Sequence, residues 1–96
     1  MQTIAIKSNS PEIIIPLLTT AIDREKRILA DSLRMAKGKV AGLAKSLDID
    51  IDALMRGEVE HTDANDMMLI ELEGEVEIIR HLEGELKELE SVTICK

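Results

Sequence analysis

No aromatic residue occurs anywhere in the chain: Phe, Tyr and Trp are all absent. A core without rings must be filled by many thin aliphatic side chains, which suits a helix–helix seam better than a β-sandwich. The absence also excludes functions. Stacking of bases on aromatic platforms, the common device of single-strand nucleic-acid binders, is missing. So is an aromatic cage for a cationic ligand. Cysteine occurs once, as Cys95, which rules out a disulfide within the chain. That usage makes a cytoplasmic location the expectation. No apolar run approaches the ~18 residues of a membrane span. The stretch from Met1 to Lys7 lacks the basic region and long apolar run of a signal peptide.

What is present is aliphatic and charged. Hydrophobic residues make up 45% of the chain and charged residues 32%, a balance with enough apolar surface to offset chain entropy. Ninety-six residues fit a single domain, expected over residues 1–96. The formal net charge of −7 repels a phosphate backbone and favours basic protein partners, so neither nucleic acid nor membrane is an expected partner.

Residues 2–7 alternate and include β-branched side chains, which predicts a short strand. Ser10 and Pro11 form a helix-start signal, with Ser10 placed to cap and Pro11 suited to the first turn. Pro16 leaves open whether it kinks that helix or begins it. From Leu18 the apolar positions run through Ile22, Leu29, Leu33, Ala36, Val40 and Leu43 to Leu47, largely in steps of three and four. That spacing is one face of a long helix. Gly38 and Gly42 fall inside it, either as weak points or as places where another backbone comes close. Asp48 or Asp50 caps a short helix over 51–56, and Gly57 ends it. Thr62 or Asp63 then caps a second long helix with the face Leu69, Leu72, Val76, Ile79, Leu82, Leu86 and Leu89. The β-branched tail, 91–96, reads as a closing strand that meets the opening one at the base of the hairpin.

The expected fold is therefore mainly α: an antiparallel helical hairpin with a short connecting helix and terminal β-strands. Over 11–47 there are seven basic residues against four acidic; over 62–90 there are two against ten. Opposite signs favour pairing of the two helices, although each exposed ion pair contributes only about 0–1 kcal/mol. One seam is little support for a chain of this size, and Ile28, Met35, Met68, Ile70 and Ile78 widen the apolar faces beyond what one seam needs. These features predict a homodimer, as a four-helix bundle or coiled coil. The expected interface residues are Leu18, Ile22, Leu29, Leu33, Val40, Leu43, Leu69, Leu72, Val76, Ile79, Leu82, Leu86 and Leu89.

Chemistry-bearing candidates are weak. Glu77, His81 and Glu85 share a helical face and could hold a divalent metal, but the spacing is not the Glu-x-x-His of di-iron bundles. A solvated charged face is the simpler reading, so no metal or cofactor is expected. His61 in its acidic turn reads the same way. The aspartates at 48, 50 and 52 lack the glycine and distant glutamate of a calcium loop. The stretch from Val40 to Leu54 has the spacing of half a helix-turn-helix, but its recognition helix would be acidic. Cys95 has no activating base nearby in sequence. An enzyme is not expected.

The layout resembles a group of small archaeal and cyanobacterial helical-hairpin proteins regarded as antitoxins. The resemblance is carried by Ile4 to Lys7, by Leu47 through Gly57 to Val59, by Asp63 to Asp66, and by Leu86 to Ile94. The aromatic residues usual around that group's turn are replaced here by Leu47, Leu54 and Ile70. The resemblance implies a hairpin with strands at its base and a role in neutralising a basic partner protein. The expected function is thus a non-enzymatic cytoplasmic interaction protein that self-associates and is antitoxin-like toward a basic partner. The alternative is a metal-binding helical bundle.

Overall fold

The computed structural model describes residues 2–94. Three helices follow in order: α1 over Pro11–Leu47, α2 over Ile51–Met55 and α3 over Asp66–Glu90. The two long helices pack against each other as a hairpin, and the molecule measures 61 × 23 × 16 Å.

α1 begins at Pro11, whose missing N–H costs nothing in a first turn. The Ser10 carbonyl accepts from the backbone of Ile13 and Ile14 at 3.0 and 3.1 Å. Its hydroxyl makes no capping bond, contrary to expectation; the Ser10 N–H instead donates to the Ser8 hydroxyl oxygen at 3.0 Å. Pro16 lies inside the helix and does not start it. The helix ends where Asp48 turns left-handed at φ 54°, a conformation that Asp tolerates better than most residues.

Asp50 caps α2, its carboxylate accepting from the Asp52 N–H at 3.3 Å. Gly57 closes the turn at φ +75°, where a side chain would be strained. α3 starts at Asp66, later than a Thr62 or Asp63 cap would put it. The reason is local: the Asn65 side chain turns back to accept from the Thr62 N–H at 2.7 Å. The Asp66 N–H donates to the Thr62 carbonyl at 2.9 Å. Residues 62–65 are thereby bound into a turn that delays the helix.

The core lies toward the tip of the hairpin. Ala36, Val40 and Ala44 from α1, Leu54 from α2, and Leu69, Leu72, Val76 and Ile79 from α3 form one buried cluster. Leu69 and Leu72 are fully buried. Ala36, Val40 and Ala44 are small, and the cluster they form with α3 buries two leucines without a ring.

The terminal strands are not present among the described residues: 2–7 and 91–94 are irregular, and Ile4 and Ile6 are exposed. Cys95 and Lys96, the end of the expected closing strand, lie outside the described residues. The reason is the length of the helices. α1 has 37 residues and α3 has 25, or about 55 Å against about 37 Å at 1.5 Å per residue. The two arms do not end level, so the segments that were to pair are held apart.

Gly38 and Gly42 have nothing within 4 Å of the position that a Cβ would take, so no backbone of this chain approaches them. Each replacement by alanine is expected to raise stability by about 1 kcal/mol. Thermal melting should move upward by several degrees for each.

Candidate interaction surface

The expected interface residues divide into three groups. Leu29, Val40, Leu69, Leu72, Val76 and Ile79 are buried inside the chain's own seam. Leu33 and Leu43 are half-buried against the core. Leu18, Ile22, Leu82, Leu86 and Leu89 are half-buried toward the open end. Periodicity missed Leu54 as a core residue, because a five-residue helix has too few turns to show a face.

A second set of apolar side chains faces outward. On α1 these are Ile13, Leu17, Ile28 and Met35; on α3 they are Met67, Ile70 and Ile78, with Met67 79% and Met35 73% exposed. These large apolar groups recur on the outer sides of both arms and are not covered by other described residues.

Charge is distributed unevenly around this surface. Among the described residues, Lys39 alone forms an ion pair from α1 to α3, reaching Glu71 and Glu75 at 3.1 Å each. Hydrogen bonds to Glu71 and Glu75 raise its pKa above the usual lysine value. Other pairs stay on one arm: Arg34 with Asp31 at 3.1 Å and Arg80 with Glu77 at 3.0 Å. Most of the basic excess of α1 and the acidic excess of α3 is thus left unspent within the hairpin.

The three candidate metal ligands do not converge. His81 meets Glu85 at 2.8 Å, while Glu77 is engaged by Arg80. No group of three ligand side chains that could hold a metal occurs among the described residues. A shallow open groove runs beside them, lined by Glu25, Leu29, His81 and Leu89 among others.

His61 is more organised than its turn sequence indicates. Nδ1 lies 2.8 Å from Asp66 and Nε2 lies 3.4 Å from Glu73, so the ring pins the connecting loop to the first turns of α3. The hydrogen bond to Asp66 leads in raising its pKa above the ordinary 6.5, with Glu73 adding and burial opposing. The imidazolium is therefore favoured by folding. Its contribution is complete below the unfolded pKa near 6.5 and is lost as pH rises through the higher folded value. Proton NMR titration of His61 should give a midpoint above 6.5, and Asp66→Asn should lower it. A His61→Gln chain should lose the part of the stability–pH slope that falls in that window.

No helix of the described residues is long and apolar enough to cross a membrane. No family model matches the chain, and neither a curated protein nor a solved structure matches it.

Proposed function

We propose that the chain is a non-enzymatic, cytoplasmic protein-binding module that self-associates through the outer faces of its hairpin. The observation that carries this reading is the exposed apolar set on both long arms, above all Met35, Met67 and Ile70. A helix pair with only one internal seam leaves these groups wet unless another chain covers them. The acidic excess of α3 supports a basic protein as a further partner, in the manner of an antitoxin toward its toxin.

Sedimentation equilibrium tests the first part: a dimer at micromolar concentration is expected, and a stable monomer there overturns it. Co-purification from the native host tests the second. A stoichiometric basic protein, released by salt, is expected; recovery of the chain alone removes the antitoxin reading.

A further inference from the structure

The outer side of α1 carries an apolar stripe separate from the face that meets α3. Ile13, Leu17, Ile28 and Met35 lie on it, each between 49% and 73% exposed. At 3.6 residues per turn, Ala21, Arg24, Asp31, Gly38 and Gly42 fall within the same arc of about 100°. All five are exposed as well. The buried Leu29, Ala36 and Val40 lie on the other side of the helix.

The stripe changes character along its length. Its first half holds the large Ile13 and Leu17, then Ala21 and Arg24, and Ile28 stands at the middle. Its second half holds Asp31 and Met35, then Gly38 and Gly42, where a Cβ would meet nothing within 4 Å. Reversing this order about Ile28 sets each large residue opposite a small one. Leu17 meets Gly38, Ile13 meets Gly42, and Met35 meets Ala21. The same reversal sets Arg24 opposite Asp31.

We infer that α1 packs antiparallel against α1 of a second copy, about a two-fold axis that crosses the helix at Ile28. This deepens the self-association reading and rests on it. Charge sets the direction. Arg24 takes part in no ion pair among the described residues. Arg34 engages Asp31 at Oδ1, 3.1 Å away, and a carboxylate accepts at both of its oxygens. The antiparallel seam joins Arg24 to Asp31 twice, once on each side of the axis. Arg27 and Arg34 border the stripe, four and three residues from Asp31, so their border keeps a carboxylate beside it. A parallel seam would set Arg24 on Arg24 and Asp31 on Asp31, which like charge opposes. It would also set glycine on glycine and leave a void there. Alanine at 38 or 42 would still be the small partner in the antiparallel seam.

The seam uses the length of α1. From Ile13 to Gly42 it runs about 44 Å at 1.5 Å per residue. It also covers the first turns of α1, which extend past the end of α3 where Glu25 and Leu29 share a groove with Glu88 and Leu89. Those turns need cover. Between Pro11 and Ile22 lie two prolines and six β-branched residues, and short helices of such residues are marginal alone.

The test uses the full chain with Cys95→Ser as background, to which Ile28→Cys or Leu17→Cys is added. Both sites are exposed, so the hairpin itself is left intact. At the axis the two copies of position 28 come within disulfide reach, with Cα atoms closer than ~7 Å. The two copies of position 17 lie about 32 Å apart. Mild oxidation is expected to link most of the Ile28→Cys dimer and to leave Leu17→Cys unlinked. Linkage at position 17 overturns the antiparallel order. A dimer by sedimentation that fails to link at position 28 overturns the α1 seam. Both results leave self-association intact, whereas a monomer by sedimentation removes both readings. In parallel, Arg24→Asp and Asp31→Arg each create two like-charge contacts per dimer and are each expected to weaken dimerisation at least about tenfold. The two together are expected to restore it to within about threefold, with helical circular dichroism retained throughout. Single reversals without effect, or a double reversal without recovery, overturn the pairing of Arg24 with Asp31.

Discussion

Leu72→Ala is expected to cost about 3 kcal/mol of stability, within the ~2–5 kcal/mol range of buried leucine truncations. Leu72 is fully buried between the arms, so the lost methyl groups leave a cavity that the helices cannot close without tilting. A chain of this length has about 5–14 kcal/mol in all, so one substitution removes a large fraction of it. The melting temperature should fall by more than 10 °C. Leu18→Ala is the matched control. Leu18 is half-buried on the projecting end of α1, outside the core cluster, and its loss should cost the hairpin itself little. Denaturant unfolding of the two variants side by side measures the contrast. Equal losses would mean that the core is not where the buried cluster places it.

Leu54→Ala is expected to cost about 2–3 kcal/mol, nearly as much as a truncation in the main seam. That is a large effect for a residue in a helix of five residues. Such a helix has no stability of its own, because nucleation is costly and few hydrogen bonds follow it. α2 is held by the burial of Leu54, 3% exposed, in the cluster formed by both long helices. Half-buried Ile51, Met55 and Val59 pack against the same cluster. Truncation at 54 should therefore free the tip from about Ile49 to the start of α3. Amide hydrogen exchange should rise sharply there while the amides of Val40 and Val76 stay protected. A uniform rise along both long helices would show instead that the tip and the arms unfold as one unit.

Both long helices were legible from spacing alone, because their apolar residues recur every three or four positions over many turns. Pro11 and Asp50 were each one of two local candidates, beside Pro16 and Asp48, and Gly57 marked the end of the short helix, since each acts through chemistry within a few residues of itself. The start of α3 was misplaced because Asn65 and Thr62 bind each other across the turn, a choice between several local caps that spacing does not rank. The outer apolar stripe was partly legible: Ile28, Met35, Ile70 and Ile78 stood out as surplus to one seam, Met68 was expected with them but is half-buried, and Ile13, Leu17 and Met67 did not stand out.

The amino-acid sequence by itself determined the helical class, the two arms, the opposite charges they carry, and the absence of rings for stacking. These follow from periodicity and composition, which need no knowledge of what lies opposite. Only the tertiary structure decided how the arms align. Alignment depends on which faces meet: Leu69 and Leu72 share one buried cluster with Ala36, Val40 and Ala44 of α1, and Lys39 settles between Glu71 and Glu75. That register, with α1 the longer helix, sets the first turns of α1 beyond the end of α3, keeps the terminal segments from pairing as strands, and exposes an uncharged helix end.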